Sequence, residues 1–568
     1  MTTASPGNAR PCPAWTDVPA DARFPGRRAV ARELCDRRRC GGATAAYHAA
    51  VLKPRLALTH GGGLSEETCR RLTLAATVLG SSMAYVTAIN VAVPAIGADL
   101  DIGLGGQQWV ILSYSLALAS LYLVAGALGD RLGRRKMFMI GTTAFAAASA
   151  LGGVAPSAAV LIVARVLQGA AGALLTTGSL SLLRSTFGAE SGRAIGIWTA
   201  GTGAVSLAGP PLGGALVDWA SWRWIFYLNL PLALSAVYLA WLGRGASTRR
   251  EASPARLDVL GAALVALGLG FVTYGIVEGG EQGFAAIAWA FAVGGVALAA
   301  FVARELRARD PLLPLYLFRE RDFTLVNVAT LLIYSSLAGS TFFLVLFLQS
   351  VVGYTAFEAG LLLLPSTMVM LALAPRFGRL ADRLGARLFL VAGPLVMASG
   401  MLLWLRVDER ALWDGLLPGL LLYGLGLSMI VAPITAAAMT AAPERYSGVA
   451  AGVNSTFSRL GSLFAIAVLG LVVSLVFAAR TDDPSLVPLA LGEDSPEFVA
   501  GSTDAFRAAI IVAAALAVGG SAAALGYSRR PEAALAREEA EAAAPRVRLD
   551  PAAPDCPSVC LVHSERKS

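Results

Sequence analysis

The sequence predicts an all-α polytopic membrane protein, and three observations lead to that fold class. Hydrophobic residues make up 56% of the 568 residues and charged residues only 15%, a balance typical of chains that cross a bilayer. Apolar runs close to the ~20 residues needed for one crossing follow each other through most of the chain. A short loop sequence rich in arginine and glycine occurs twice, each time directly after an apolar run.

The apolar runs predict about fourteen transmembrane helices. Their approximate ranges are 72–98, 107–128, 137–156, 158–183, 194–217, 224–243, 259–280, 283–303, 323–349, 358–376, 388–405, 413–440, 456–479 and 507–527.

The loops between these runs alternate in charge. With the N-terminus in the cytoplasm, the basic residues fall in cytoplasmic loops, and the other side receives short or acidic loops. The formal net charge of +8 is therefore attributed to topology, and no nucleic-acid partner is expected. This distribution predicts a multi-pass protein of the cell membrane with both termini in the cytoplasm.

The two terminal segments lack the pattern of the spans. Residues 1–71 are rich in Pro, Arg, Ala and Gly, and no apolar segment near Met1 has the character of a signal peptide. We expect a disordered cytoplasmic extension there. Residues 529–568 alternate Ala, Glu, Arg and Pro and are predicted to form a cytoplasmic tail.

The repeated loop follows the second and the tenth predicted helices. In each copy a glycine precedes an aspartate by four residues, an arginine comes next, and a glycine follows three residues after the aspartate. Glycines allow a tight turn, and the bases stay at the cytoplasmic face. The residues assigned to these cytoplasmic gate loops are Gly126, Asp130, Arg131, Gly133 and Arg134 in the first copy, and Gly378, Asp382 and Arg383 in the second.

The distance between the two copies predicts the domain organisation. Because they are eight helices apart, two extra helices are expected between two six-helix halves, a 6+2+6 arrangement. The first half would cover residues 72–243, the linker with the extra helices 244–303, and the second half 304–528.

Two further motifs lie inside predicted spans. Helix 4 carries Arg165 and Gln168, and an ionised residue within a span usually faces a cavity or a partner because its burial in lipid is costly. Snorkelling of Arg165 to the membrane surface is the alternative. Helix 5 carries a glycine- and proline-rich sequence, in which proline bends the helix and glycine lets a neighbour approach. Its residues are Gly203, Gly209, Pro210, Gly213 and Gly214.

These motifs resemble those of the major facilitator superfamily. The repeated loop resembles the family's loop motif, Arg165-x-x-Gln168-Gly169 its helix 4 motif linked to proton relay, and Gly-Pro-x-x-Gly-Gly in helix 5 its antiporter motif. The sequence Trp222-Arg-Trp-x-Phe-x-x-Asn229-x-Pro resembles the fourteen-helix drug:proton antiporter branch.

The resemblance implies the major facilitator fold and secondary active export of small amphipathic or cationic compounds, as in multidrug or antibiotic efflux. Transport would proceed by proton antiport and alternating access, with protons, the lipid bilayer and a small-molecule substrate as partners and a monomer as the expected state. No enzyme activity and no cofactor are expected. An ATP-driven pump is excluded because no Gly-x-x-x-x-Gly-Lys-Ser/Thr sequence occurs. All six cysteines and three histidines lie outside the predicted spans, so no metal site is expected in the membrane core.

One position departs from that branch, which usually carries an aspartate in helix 1, five residues before Asn90. Tyr85 stands there in this chain, and an alternative alignment gives Thr87. Glu278, late in the seventh helix, is then a candidate coupling carboxylate beside Arg165 and Gln168, because a buried carboxylate can carry a proton near neutral pH. An uncoupled facilitator of the same fold, or a non-transporting membrane sensor or scaffold, is the alternative.

Aromatic side chains within the spans are candidates for lining a substrate cavity. They are Tyr85, Tyr114, Trp198, Tyr334, Phe343 and Tyr423. Simple packing between helices is the alternative for each of them.

Overall fold

The structure is a computed structural model, and it describes residues 65–85, 88–243, 258–308, 315–407, 412–442, 447–483 and 485–528. Within these ranges the regular secondary structure is helical throughout, and no β-strand occurs in them. Most of the predicted N-terminal extension, the segment 244–257 of the linker and the predicted tail over 529–568 lie outside the described residues.

The first half consists of helices that follow the first six predicted runs. They are α1 (Glu66–Tyr85), α2 (Ala88–Leu100), α3 (Leu104–Leu132), α4 (Arg134–Gly153), α5 (Ala158–Phe187), α6 (Ser191–Trp219), α7 (Arg223–Tyr227) and α8 (Asn229–Leu242). Helices α1 and α2 meet at a 42° bend and together match the first run. Helices α7 and α8 together match the sixth.

Two helices, α9 (Val259–Gln282) and α10 (Phe284–Glu305), separate the halves in the sequence. The helices of the second half are α11 (Arg321–Ser350), α12 (Ala356–Leu362), α13 (Leu364–Leu384), α14 (Ala386–Trp404), α15 (Leu417–Thr440), α16 (Ser447–Ala478) and α17 (Pro496–Leu525). Helices α12 and α13 together match the tenth predicted run.

The all-α polytopic fold is confirmed, whereas the number of spans stays a prediction. In the described part of the chain, ten helices are long and apolar enough to cross a membrane, or eleven if the bent pair α1–α2 is one span. Each predicted run coincides with helix, but α3, α4 and α6 are not among those ten. The count of fourteen is therefore not established.

Two helices begin earlier than the sequence predicts. Helix α1 begins at Glu66, so Cys69, expected outside the spans, lies within it and is only 2% exposed. Helix α17 begins at Pro496 and not near 507, and its cap Ser495 accepts a hydrogen bond from the backbone nitrogen of Phe498 at 3.3 Å. An apolar run marks the lipid-facing length of a helix, whereas the backbone continues until a cap or turn ends it.

Helices pack closely within each half. In the first half α5 packs along both α3 and α4, and in the second half α15 packs along both α13 and α14. A Cβ atom on Gly169 of α5 would lie 2.3 Å from the backbone oxygen of Tyr114 in α3. Glycine is thus the residue that permits this approach of the two backbones.

The extra helices α9 and α10 pack against each other, and α9 contacts both α3 and α16. Asp258 caps α9, since its Oδ1 accepts a hydrogen bond from the backbone nitrogen of Gly261 at 2.7 Å. Arg304, near the end of α10, donates to Asp258 at 2.8 Å. This bond, with the Gly261 N–H, holds the pKa of Asp258 below its ordinary value. The pair joins the two ends of the hairpin.

Candidate functional site

Two adjacent cavities lie between the halves. Cavity A has a volume of about 410 Å³, and cavity B has about 200 Å³. Asn90, Leu337 and Thr341 line both. Cavity A is otherwise lined mainly by first-half helices together with α11 and α16, and cavity B by α2, α6, α11 and α13 to α15. The larger volume falls within the roughly 300–1,000 Å³ of small-molecule sites.

A chain of hydrogen bonds at cavity A joins four helices of the first half. Arg165 Nη1 donates to Gln168 Oε1 at 2.9 Å, and Gln168 Nε2 donates to Ser149 Oγ at 2.6 Å. Asn229 Nδ2 donates to the same Ser149 oxygen at 3.3 Å, and Arg165 Nε donates to the backbone oxygen of Val110 at 2.9 Å. Arg165 is 7% exposed and Gln168 is 1% exposed. Arg165 therefore points into the bundle and does not snorkel, and the chain ties α3, α4, α5 and α8 together.

The described partners of the Arg165 guanidinium are uncharged groups. Its guanidinium lies 4.3 Å from the ring centroid of Tyr114, whose hydroxyl donates to the backbone oxygen of Ala84 at 3.1 Å. Among the residues that the structure describes, no carboxylate forms an ion pair with Arg165. Cavity A thus contains a buried positive charge held by amide, carbonyl and π-face contacts.

Cavity B is bounded by an aromatic pair and hydroxyl groups. The Tyr423 hydroxyl lies 3.0 Å from Thr341 Oγ1 and donates to the backbone oxygen of Leu337 at 3.2 Å. The Trp404 ring lies 5.1 Å from that of Tyr423. These groups can accept an aromatic body and hydrogen-bond a polar substituent.

One end of the bundle, which we call the closed end, is sealed by contact between α6 and α12. A Cβ atom on Gly214 would lie 2.3 Å from the backbone oxygen of Ala356, and one on Gly360 would lie 2.5 Å from that of Pro210. Asp218, at the end of α6, accepts a hydrogen bond from the backbone nitrogen of Ala356 at 3.2 Å. The two halves therefore meet here backbone to backbone.

The opposite end, which we call the loop end, contains the two copies of the repeated loop. Gly133, between α3 and α4, has φ +91° and ψ 130°, and Gly385, between α13 and α14, has φ +91° and ψ 143°. The two copies thus make the same backbone turn, in a region of φ and ψ that favours glycine.

We expect Gly133→Ala to destabilise the protein by about 1–3 kcal/mol, because alanine is strained at this φ. No atom lies within 4 Å of a Cβ built at Gly133, so the effect would come from the backbone alone. Thermal unfolding of the purified protein measures the change. Gly192→Ala is the matched control, since that glycine also has open space around it and has no positive φ. Equal midpoints for the two variants would contradict the assignment.

The other predicted gate residues lie beside these turns. Gly378 is within α13, and Asp382 and Arg383 are exposed on its last turn. Arg134 begins α4. Gly126, Asp130 and Arg131 belong to α3, and the environment of Gly126 and the side chains of the other two lie outside the described part. The role of the gate loops stays a prediction.

The helix 5 motif lies on α6 on the side of the second half. Pro210 lines cavity B, Gly209 and Gly213 are buried, and Gly214 forms the closed-end contact. Gly203 lies two turns before Pro210 on α6. A Cβ atom at Gly203 would meet only a side-chain atom of α13, at 3.4 Å.

The structure separates the aromatic candidates into two groups. Tyr114 lines cavity A and Tyr423 lines cavity B. Trp198, Tyr334 and Phe343 line neither cavity. Trp198 donates to the backbone oxygen of residue 77 at 3.2 Å, and Phe343 is fully buried against a neighbouring phenylalanine.

Two residues bear on the predicted proton coupling, Tyr85 and Glu278. Tyr85 is the last residue of α1, and its side chain lies outside the described part. Glu278 lies half-buried in α9 and is not among the described residues that line cavity A or cavity B.

Sequence reasoning did not assign several polar residues to the site. Asn90 and Thr341 line both cavities, and Ser149 and Asn229 complete the hydrogen-bond chain of Arg165. Each is a polar residue inside an apolar run, and a search for such residues would have found them.

A helical membrane bundle of two halves around a central cavity, sealed at one end, is the architecture of a secondary transporter. The chain belongs to the Major Facilitator Superfamily, whose family profile matches residues 74–466.

Named relatives support this membership. Multidrug resistance protein Stp of Mycobacterium tuberculosis (strain CDC 1551 / Oshkosh) is 37% identical over 420 residues, which cover 72% of this chain and 77% of Stp. The tetracenomycin C resistance and export protein of Streptomyces glaucescens is 36% identical over 415 residues, covering 71% and 76%. A bacterial homologue of the human lysosomal transporter Spinster, solved in an inward-facing, unoccupied conformation, matches with a TM-score of 0.57 at 16% identity over 82% of this chain and all of that chain. The chain is therefore a multi-pass membrane transporter for small molecules.

Proposed function

We propose that the protein exports small amphipathic compounds from the cell by alternating access, as an antibiotic or multidrug efflux transporter. The observation that carries this proposal is the pair of cavities between the halves, sealed at the closed end by α6 and α12. The names of the relatives, for multidrug resistance and for tetracenomycin C export, support it.

We infer the orientation of the protein in the membrane from the charge distribution. Basic residues concentrate in the loops of the loop end, and the positive-inside rule assigns this end to the cytoplasm. The protein would then lie in the plasma membrane with both termini in the cytoplasm. In this orientation the closed end would face outward, and cargo would enter from the cytoplasm or the inner leaflet. We propose that the protein works as a monomer.

We further propose that a proton moves inward for each exported molecule. Arg165 and Gln168 line cavity A, where the binding of cargo and the movement of a proton would be linked. Glu278 is the candidate carboxylate for carrying the proton. An uncoupled facilitator is the second candidate function. It is favoured by the linings of both cavities, since none of their described residues is Asp or Glu.

The test uses inverted membrane vesicles, which turn the cytoplasmic face outward. A pH gradient, acid inside, is imposed, and uptake of an anionic dye (fluorescein) and a cationic dye (rhodamine 123) is measured on filtered vesicles. Uptake of either dye that collapses with an uncoupler establishes coupled export. Equilibration that ignores the gradient establishes the facilitator, and uptake equal to that of vesicles without the protein contradicts export of these compounds.

Glu278→Gln then separates coupling from cargo binding. Because Glu278 is not among the described lining residues, we expect dye affinity to stay within twofold of the wild type. Loss of uptake against the gradient would identify Glu278 as the coupling group, and retained uptake would exclude it.

A further inference from the structure

We propose that the cavities select aromatic compounds that carry a negative charge and disfavour cations of the same size. The proposal rests on the proposed export function and deepens it. Two arginines from opposite halves, Arg165 and Arg459, supply the positive charge.

Arg165 provides the charge nearest the closed end. Helix α5 runs from the closed end to the loop end, and Arg165 lies two turns from its start. No carboxylate of the described part of the chain forms an ion pair with the guanidinium. Its partners are the Gln168 amide oxygen, a backbone carbonyl and the ring of Tyr114. Its positive charge is therefore available to a bound molecule.

Arg459 provides a second charge nearer the loop end. The thirteenth apolar run, 456–479, places Arg459 near the start of a predicted helix. In the structure that helix is α16, which begins at Ser447, so Arg459 lies several turns inside it. It precedes Ser462, which lines cavity A, by three residues and so shares its face of α16. Its guanidinium lies 5.2 Å from the ring centroid of Tyr122 in α3, and among the described residues it has no ion pair.

The two charges reinforce each other across cavity A. Helix α16 leads away from the loop end, which places Arg459 between that end and the cavity, while Arg165 lies at the far side. Tyr114, in contact with the Arg165 guanidinium, and Tyr122, in contact with that of Arg459, lie two turns apart on α3. A molecule entering from the loop end would therefore pass one positive charge and approach a second.

No negative group offsets this field in the described linings. The described residues of cavities A and B include no Asp or Glu, and residues 73–98, which form most of α1 and α2, include no acid. The acids of these two helices, Glu66, Glu67 and Asp99, lie at their outer ends. In a site of low dielectric a cation would meet unbalanced repulsion, whereas an anion would gain attraction. Tyr114, Phe145 and Phe226 supply the aromatic surface for the body of the molecule.

Fluorescein and rhodamine 123 test this selectivity, because they share a three-ring xanthene body and differ in the sign of their charge. Binding to purified protein is followed by fluorescence polarisation, and uptake is measured in the inverted vesicles. We expect fluorescein to bind at least tenfold more tightly than rhodamine 123 and to be the dye that accumulates.

Charge-removing variants locate the source of the preference. Arg459→Gln should reduce the ratio of the two affinities several-fold, and Arg165→Gln should reduce it further. Arg459→Gln is the safer variant for folding, because Arg165 hydrogen-bonds Gln168 and the backbone of α3, whereas the contact of Arg459 in the described part of the chain is with the ring of Tyr122. The matched control is Arg480→Gln, which removes an exposed arginine paired with Asp504 at the closed end and should leave the ratio unchanged.

The outcomes distinguish this inference from the export function. Equal affinities, tighter binding of rhodamine 123, or an unchanged ratio in both cavity variants would overturn the charge selectivity while leaving export intact. Failure of both dyes to bind and to enter the vesicles would overturn the proposed export of such compounds, and the selectivity with it.

Discussion

Gly214→Val is expected to lower the rate of export by about tenfold to a hundredfold. A side chain at this position would meet the backbone of α12, with Ala356 O 2.3 Å and Phe357 Cα 2.6 Å from the new Cβ atom. Backbone atoms cannot rotate away, and overpacking of this kind typically costs about 1–3 kcal/mol. The cost falls only on the state in which the closed end is sealed, so that state loses population and the cycle slows.

The measurement is dye uptake together with the distance between spin labels at Val154 and Leu491, two exposed positions at the closed end on opposite halves. We expect a longer distance in the variant. Gly203→Ala on the same helix is the control, because its Cβ atom would make only an ordinary contact with a side chain. An unchanged distance in Gly214→Val would show that this contact does not hold the closed end.

A second variant at the same contact removes attraction without adding bulk. Asp218 accepts hydrogen bonds from the backbone nitrogens of Ala356 and Phe357, at 3.2 and 2.8 Å, and so places a negative charge at the start of α12. Asp218→Ala should shift the label distance in the same direction as Gly214→Val, by a smaller amount. A shift in the opposite direction would contradict the role of this contact.

Gln168→Leu is expected to reduce transport by about a hundredfold and to lower the free energy of unfolding by about 1–3 kcal/mol. Leucine fills a similar volume but leaves the Arg165 Nη1 donor without its acceptor and removes one of the two donors to the Ser149 hydroxyl. Each buried group left in this way costs roughly 1–3 kcal/mol. The chain links four helices around cavity A, so the loss would also loosen the site.

Thermal unfolding and dye binding measure the two effects separately. Ser185→Ala on the same helix is the control, because that hydroxyl donates only to its own helix, at the backbone oxygen of Leu182. Wild-type binding and stability in Gln168→Leu would exclude a structural and functional role for the chain.

The sequence predicts the fold class well because membrane spans depend on local hydropathy and on the charge of adjacent loops. The repeat could also be recognised locally, and Gly133 and Gly385 have the same φ in the structure. Helix ends were less predictable. Helices α1 and α17 begin at Glu66 and Pro496, well before the apolar runs that predict them. Cys69 therefore lies inside α1, where it is buried.

The site was only partly predictable because it depends on contacts between distant segments. Arg165 and Gln168 could be found from their cost inside an apolar run, but their partners Ser149 and Asn229 lie on other helices. The sequence did not distinguish aromatic residues that line a cavity from those that pack in the core. Tyr114 lines a cavity and Phe343 packs in the core, although both lie in similar apolar surroundings in the sequence.

The central claim is that the two ends of the bundle open alternately around the cavities. Paired distance measurements test it most directly, with spin labels at Val154 and Leu491 for the closed end and at Lys136 and Arg387 for the loop end. We expect cargo and a pH gradient to lengthen the first distance and shorten the second, in the same fraction of molecules. Two distances that stay fixed under all conditions, or that lengthen together, would contradict alternating access.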